Sequence, residues 1–174
     1  KVIRARGLDG FTLSEVATET GLSRAAIILR FKSTQALRAE ALRRMIEAFS
    51  EKLARLPQTP SGNHLLEVAE FIGQTAGTRE SSASFFANYA QRIDDPELAA
   101  LERKRGELLR QAIARVMPDT SIDQASAVAL FTAPLTGSII SLIGTGEPDL
   151  CGNLVWRSEN WLALVGIPFD NTAV

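Results

Sequence analysis

Two arginines near the start of the chain, Arg24 and Arg30, could bind a polyanion. They follow Ser23, a residue type that caps helices, and Thr12 and Ser33 can cap two neighbouring helices in the same way. The amino terminus of a helix presents free backbone amides, and arginine presents a fork of N–H donors. Both groups bind phosphate oxygens. The chemistry indicated by these residue types is therefore the binding of phosphate groups.

Two short helices joined by a tight turn must position these residues. Thr12 with Glu15 has the capping-box spacing, and Gly21 should end the helix that they start. Ser23 then caps a second helix that runs to about Phe31. Two short helices joined by a turn that contains glycine are typical of a helix-turn-helix.

The apolar residues predict which side of the second helix faces outward. The core of the helix-turn-helix is predicted to contain Val16, Ala17, Leu22, Ile27 and Phe31. The residues left for an outward face are Arg24, Ala25, Ala26, Ile28, Leu29 and Arg30. In this motif the second helix enters the major groove and the first lies across the DNA backbone. The alternative is an ordinary packing unit whose arginines form a solvated face.

Charge is distributed unevenly along the chain. Of its 174 residues, 1–56 contain eleven Lys and Arg against six Asp and Glu, whereas 57–174 contain eight against fourteen. A basic head joined to an acidic body suggests that only the head meets a polyanion.

The single Cys151 and the single His64 permit no internal disulfide and no His/Cys metal cluster. The cytoplasm is therefore the expected compartment, and no metal is expected. No catalytic constellation is evident, so we expect a protein that is not an enzyme and has no cofactor.

The rest of the chain predicts an all-α fold. The segment LPQTPSGN at 56–63 predicts a boundary between a domain of residues 1–56 and one of 57–174. A helix capped by Ser33 should run to about Leu56, and further helices are predicted near 63–77, 81–93, 96–117, 122–145 and 150–165. The chain starts in mid-pattern at KVIRARG, so we expect an incomplete first helix that ends at Gly7.

Local signals within the body refine these helices. Asp95 followed by Pro96 should start one of them, and Ser121 with Gln124 has the capping-box spacing for another. Pro134 should kink that helix. The run Glu102-Arg103-Lys104-Arg105 is interpreted as a solvated face with pairs three or four residues apart.

An uncharged run at 124–146 is the one candidate for a membrane span in the sequence. Its proline, glycines and hydroxyl residues lower its hydropathy below that of typical spanning segments. We therefore expect a helix buried at a subunit interface and no membrane.

Residues 7–37 resemble the DNA-binding domain of the TetR family of transcriptional regulators. The resemblance lies in the order of Gly7 and Phe11, TLSEVA at 12–17, GLS at 21–23, Ile27, Phe31, Ser33 and Leu37. It implies a homodimeric repressor that binds a palindromic double-stranded DNA operator and is released by a small molecule. The DNA-binding residues predicted on this basis are Thr12, Ser14, Ser23, Arg24, Ala25, Ala26, Ile28, Leu29, Arg30, Lys32 and Thr34.

The chain departs from the usual TetR pattern at three positions. Ile28 stands where the family most often has Tyr, Arg30 where it often has His, and Thr34 where it usually has Lys. Two usual phosphate anchors are therefore absent, although Arg30 and Lys32 supply charge. With Arg24 as one strong base donor beside apolar surface, we predict binding that depends on phosphates and DNA shape. The alternatives are a sensing or interaction module that has lost DNA binding, and a small helical carrier protein.

The resemblance also implies an effector-binding and dimerisation domain. In this family the last two long helices form the dimer interface, predicted here to include Ala129, Ala133, Gly137, Ser141, Trp156 and Trp161. The same face could instead pack inside the subunit. Aromatic and polar residues of the earlier helices are candidates for an effector pocket: Phe71, Gln74, Phe85, Phe86, Asn88, Tyr89 and Arg92.

Overall fold

The computed structural model describes residues 10–170, except for the side chains of Asn88 and Gln91. Every regular element in this part of the chain is a helix, so the all-α prediction is confirmed. The helices described are α1 (Leu13–Thr20), α2 (Arg24–Phe31), α3 (Thr34–Leu53), α4 (Gly62–Ala76), α5 (Arg79–Asp94), α6 (Pro96–Val116), α7 (Gln124–Thr145) and α8 (Leu150–Val165). The predicted incomplete first helix lies outside the described residues.

Capping residues start several helices where the sequence predicts them. The Thr12 hydroxyl accepts from the Glu15 amide at 3.2 Å, and the Glu15 carboxylate accepts from the Thr12 amide at 2.8 Å. Gly21 ends α1 with a φ of 68°. Ahead of α6, Asp95 Oδ1 accepts from the amide of Glu97 at 2.9 Å. These local predictions are confirmed because each depends on residues no more than four positions apart.

The predicted start of α7 is wrong. Asp123, and not Ser121, caps this helix and accepts from the Ser126 amide at 3.0 Å. A carboxylate interacts more favourably than a neutral hydroxyl with the positive end of a helix. The helix is continuous through Pro134.

The end of α3 also lies before the predicted position. The helix ends at Leu53, and the Leu56 amide bonds to the Leu53 carbonyl at 3.3 Å in a tightened final turn. Pro57 follows directly, and the residue before a proline is disfavoured in helical conformation.

The described residues form two compact units. The first contains residues up to Ser50 together with Ser84–Arg105, and the second contains Glu51–Ala83 and the residues from Gly106 on. The division of the chain into separate domains of residues 1–56 and 57–174 remains a prediction.

The first unit contains the helix-turn-helix together with most of α3. Ile27, Leu37 and Leu42 are among its buried apolar residues. Arg43 of α3 bonds to Glu97 at 3.3 Å, which ties α3 to the start of α6 within this unit.

The second unit is built on close packing of α4 against α8. A Cβ added to Gly73 of α4 would lie 2.7 Å from the Cα of Cys151, so only glycine permits this approach. Val68 and Leu65 of α4 and Leu154 and Leu162 of α8 are fully buried. α7 completes the unit by packing against both helices.

Among residues 10–170, α7 alone is long and apolar enough to cross a membrane. Its most apolar window has a mean hydropathy of 1.8, and 39% of that window is buried. Length and composition alone do not separate such a helix from the core helix of a soluble protein.

Candidate nucleic-acid interface

The outward face of α2 is solvent-exposed along its length. Arg24, Ala25, Ala26, Ile28, Leu29 and Arg30 are all exposed, and the Leu29 side chain is 86% exposed. Ile27, on the opposite side, is only 1% exposed. The six residues that the sequence assigned to the outward side of this helix are therefore all exposed.

The prediction that Leu22 belongs to the core of the helix-turn-helix is wrong. Leu22 is 52% exposed, because it lies in the turn between Gly21 and Ser23 and on neither inward helix face. Ile27 is fully buried, whereas Val16, Ala17 and Phe31 are half-buried.

The amino terminus of α2 lies beside an open cleft. Ser23 Oγ accepts from the Ala26 amide at 3.0 Å, and the amides of Arg24 and Ala25 have no partner inside the helix by helical geometry. The cleft has a volume of about 410 Å³ and is lined by Phe11, Thr12, Leu13, Ser14, Arg24 and Thr34. The hydroxyl residues Thr12, Ser14 and Thr34 and the guanidinium-bearing Arg24 thus line a cleft at the start of α2, and such donors are suited to phosphate oxygens.

Lys32 ends α2 in an unusual backbone conformation. Its φ is 64°, and no other non-glycine residue among those described has a positive φ. Its amide donates to the Ile28 carbonyl at 2.7 Å, and Ser33 Oγ then accepts from the Ala36 amide at 3.0 Å to start α3. The Lys32 side chain is exposed, whereas Thr34 is half-buried. The sequence alone gave no sign of this strained position.

A buried ionic cluster lies in the first unit. Arg92 and Glu102 side chains are each 2% exposed, and their Nε and Oε1 atoms are 3.0 Å apart. Arg105 Nε donates to the same carboxylate at 2.8 Å. The Arg92 and Arg105 guanidinium carbons lie 4.5 Å and 5.1 Å from the Phe85 ring centroid. Two cations therefore share one carboxylate and one aromatic ring.

This cluster corrects the interpretation of the run Glu102-Arg103-Lys104-Arg105 as a solvated face. Arg103 and Lys104 are exposed, but Glu102 is buried. Glu102 lies one helical turn after buried Leu98, on the inward side of α6.

The predicted effector residues fall into two groups. Phe85, Phe86, Tyr89 and Arg92 belong to the first unit, where the Phe85 ring lies 5.3 Å from Phe86 and 5.8 Å from Tyr89. Phe71 and Gln74 lie on α4 in the second unit, and Gln74 donates to Glu70 at 3.0 Å. The side chain of Asn88 lies outside the described part of the chain.

Most of the predicted dimer residues lie on an exposed face of α7 and α8. Ala129, Ala133, Gly137 and Ser141 are exposed, and Trp156 is 58% exposed. Trp161 is half-buried, and its ring lies 5.1 Å from that of Phe131. Trp161 thus packs at least partly inside the subunit, whereas the other five are available to a partner.

The one cysteine lacks the surroundings of a reactive thiol. Burial raises the pKa of the Cys151 thiol, and the charges of Glu70 and Asp149 add to the shift. Within residues 10–170, no group of three His, Cys, Asp or Glu side chains could hold a metal ion.

Comparison with known proteins identifies the amino-terminal part of the chain. Residues 1–41 match the family model described as bacterial regulatory proteins, tetR family. The chain is similar in structure to a transcriptional regulator from Saccharomonospora viridis in complex with choline, with 20% identity over 93% of this chain and 90% of that one, and a TM-score of 0.76.

A second similar structure is the transcriptional regulator FadR from Bacillus subtilis in complex with stearoyl-CoA. Its identity is 16% over 94% of this chain and 91% of that one, with a TM-score of 0.67. No curated protein matches the sequence. At these identities the two structures establish a shared fold.

Proposed function

We propose that this chain, a member of the TetR family by its amino-terminal domain, is a homodimeric transcriptional repressor released from a palindromic operator by a small molecule. The observation that carries the proposal is the exposed face of α2, where Arg24 and Arg30 flank apolar residues beside the cleft at Thr12 and Ser14. A recognition helix needs such a face because side chains must reach base edges in the major groove. We place the protein in the cytoplasm and assign it no catalytic activity.

Each half of the α2 face has a separate proposed role. Arg24, in the first turn, is placed to donate to base edges, since the first turn of a recognition helix lies deepest in the groove. Arg30 and Lys32, at the other end, are placed to bind phosphates. Ile28 and Leu29 supply apolar surface that suits thymine methyl groups.

The effector is proposed to bind in the first unit at Phe85, Phe86, Tyr89 and Arg92. The choline and stearoyl-CoA complexes of similar proteins support a small-molecule effector in general. Phe85 already lies against two guanidinium groups, so a quaternary ammonium would compete with Arg92 for the ring. A neutral or anionic effector therefore suits this cluster better than a cation. Phe71, Gln74 and Asn88 remain predicted pocket residues.

The test is selection of random duplex DNA by the full chain, followed by anisotropy titration of the enriched sequence at several salt concentrations. An enriched palindrome is expected. Arg24→Ala should weaken binding by about 1–3 kcal/mol and relax specificity at one position of each half-site, because it removes a base donor. Arg30→Ala should weaken binding to all sequences and lower the slope of log affinity against log salt by about one per site, because it removes a phosphate contact.

Arg110→Ala is the matched control, since Arg110 is an exposed arginine of the second unit. It should leave both affinity and salt slope unchanged. Failure to enrich any sequence, with no preference over scrambled DNA at low salt, would favour the second candidate: a sensing module that has lost DNA binding. The replacement of the usual Tyr and Lys anchors by Ile28 and Thr34 is the observation that favours it.

A further inference from the structure

The chain that follows α8 turns back to the amino terminus of α4 within the second unit. Gly166 ends α8 with a φ of 74°. The Ile167 amide then donates to the Leu162 carbonyl at 3.0 Å, and the Ile167 side chain is only 5% exposed. The chain therefore stays packed against the unit after the helix has ended, and residues 168–170 meet α4.

Gly62, the first residue of α4, lets this returning chain come close. A Cβ added to Gly62 would lie 2.2 Å from the Pro168 carbonyl oxygen and 3.1 Å from the Phe169 Cβ. The carbonyl oxygen belongs to the backbone, so no side-chain rotation could relieve the overlap. Only glycine permits this approach of one backbone to another.

Asn63, the second residue of α4, closes the contact with two hydrogen bonds. Its Nδ2 atom donates to a carboxylate oxygen of Asp170 at 2.7 Å, and its Oδ1 atom accepts from the Asp170 amide at 2.7 Å. The first turn of α4 has no acidic residue of its own. Asp170 therefore brings a negative charge to the positive end of this helix from 107 positions along the chain.

We propose that residues 167–170 form a strap that closes on α4 and opens while the rest of the second unit stays folded. The closing pair lies at the surface, since Asp170 is exposed and Asn63 is half-buried. Water competes for both hydrogen bonds, so each contributes little to stability by itself. Segments held by few contacts open at a lower free energy than the core of a protein.

The core of the second unit does not depend on this strap. α4 packs against α8, and Leu65 of α4 and Leu154 and Leu162 of α8 are at most 1% exposed. The strap itself contributes one buried apolar side chain, that of Ile167. An open strap therefore uncovers Ile167 and the first turn of α4, and it leaves the contact between α4 and α8 intact.

A purely local role of Gly62 and Asn63 in α4 is the competing explanation. Alanine is more favourable than glycine in a helix, and an acidic residue is favourable in a first turn. Gly62→Ala and Asn63→Asp should then each strengthen α4. The strap predicts the opposite sign, because the first variant overlaps with Pro168 and the second sets two carboxylates against each other.

The first experiment measures amide hydrogen exchange in the full 174-residue chain by nuclear magnetic resonance. The Asp170 amide reports the strap, and the Leu65 amide, which donates to the Ser61 carbonyl at 3.1 Å, reports the start of α4. In Gly62→Ala and in Asn63→Asp both amides should exchange at least about tenfold faster, because the closed strap loses a hydrogen bond or its close fit. The Leu154 amide in α8 should change less than about threefold, because the opening is local.

The second experiment exchanges the two partners. The double variant Asn63→Asp/Asp170→Asn again sets one amide against one carboxylate, so exchange should return to within about threefold of the wild-type rate. Gln111→Glu is the matched control, since the Gln111 amide donates to Glu107 at 3.2 Å on an exposed part of α6. It creates a similar pair of carboxylates away from the strap and should leave exchange at Asp170 unchanged.

Each outcome decides between the explanations. Unchanged or slower exchange in Asn63→Asp overturns the strap in favour of a local role. An equal increase at Leu154 also overturns it, because the unit would then open as a whole. A double variant that exchanges as fast as Asn63→Asp overturns the pairing of Asn63 with Asp170.

Circular dichroism of each variant establishes that it folds. Asn63→Asp alters a pair at the surface and carries the test without Gly62→Ala if the buried glycine does not tolerate a methyl group. Neither DNA nor an effector enters these measurements, so their failure would leave the proposed repressor untouched.

Discussion

Lys32 is a residue whose backbone and side chain have separable roles. Its φ of 64° is a conformation that glycine adopts at low energy and lysine does not. We predict that Lys32→Gly raises the free energy of unfolding by about 0.5–1 kcal/mol, because it relieves this strain. Thermal and denaturant unfolding of the full chain would measure the change.

Lys32→Ala is the matched variant because it removes the same charge and keeps a Cβ. Lys32→Ala should leave the free energy of unfolding equal to or below that of the wild type. Both variants should weaken DNA binding equally at low salt, because both remove the same charge. Equal stabilities for the two variants would show that the backbone at residue 32 carries no strain.

At the scale of single residues, the outward positions of a short helix were easier to predict than a buried ion pair. The outward positions of α2 follow from helical periodicity, which the sequence contains. The burial of Glu102 could not be predicted from periodicity. Its partner Arg92 lies ten residues away on another helix, and the adjacent charged residues Arg103 and Lys104 indicate a solvent-exposed surface. The positive φ of Lys32 leaves no compositional trace, since a lysine at that position is ordinary in sequence.

At the scale of elements, the cap of α7 makes stability depend on pH. Hydrogen bonds from the Ser126 hydroxyl and amide hold the pKa of Asp123 below its usual range. A lowered pKa in the folded state stabilises the protein above the ordinary aspartate value of about 3.9, and this stabilisation is lost as the pH falls through the folded value. We predict that Asp123→Asn unfolds at a lower temperature near neutral pH and that the difference from wild type disappears on acidification.

Unfolding midpoints measured from about pH 7 to about pH 2.5 would test this dependence. Asp119→Asn is the control for loss of one carboxylate, because Asp119 lies exposed in the loop before α7 and caps no helix. A difference between wild type and Asp123→Asn that stays constant over the whole range would contradict the assigned role of the charge.

Helix starts show why some local predictions succeed and others fail. The caps at Thr12 and Asp95 were predicted correctly because each side chain can accept from the amides of only one helix start. Ser121 and Asp123 lie two residues apart and both match capping patterns, so spacing could not choose between them. Packing across long separations, such as Gly73 against Cys151, could not be predicted because no local pattern connects residues so far apart in the chain.

At the scale of the whole molecule, Gly137 is predicted to affect the stability of the subunit and that of the proposed dimer in opposite directions. A Cβ at this position meets nothing within 4 Å in the single subunit, and glycine disfavours a helix relative to alanine by about 0.5–1 kcal/mol. We predict that Gly137→Ala stabilises the diluted subunit by up to this amount and raises the dimer dissociation constant several-fold. The added methyl group would obstruct the close approach of the second copy.

The measurement pairs thermal unfolding at low concentration with sedimentation at high concentration. Gly106→Ala is the control, since Gly106 lies in α6, where an added Cβ makes an ordinary contact at 3.4 Å with the Arg110 side chain. It should change stability without changing assembly. A dimer as tight in Gly137→Ala as in wild type would place the interface elsewhere on the molecule.

The exposure of Leu29 affects how a regulator with this head would respond to warming. Its side chain is 86% exposed, and entry into a groove would remove that apolar surface from water. Such removal gives association a negative heat-capacity change, so the binding enthalpy becomes more favourable and the entropy less favourable as temperature rises. Operator occupancy would then pass through a maximum with temperature instead of following a straight van't Hoff line.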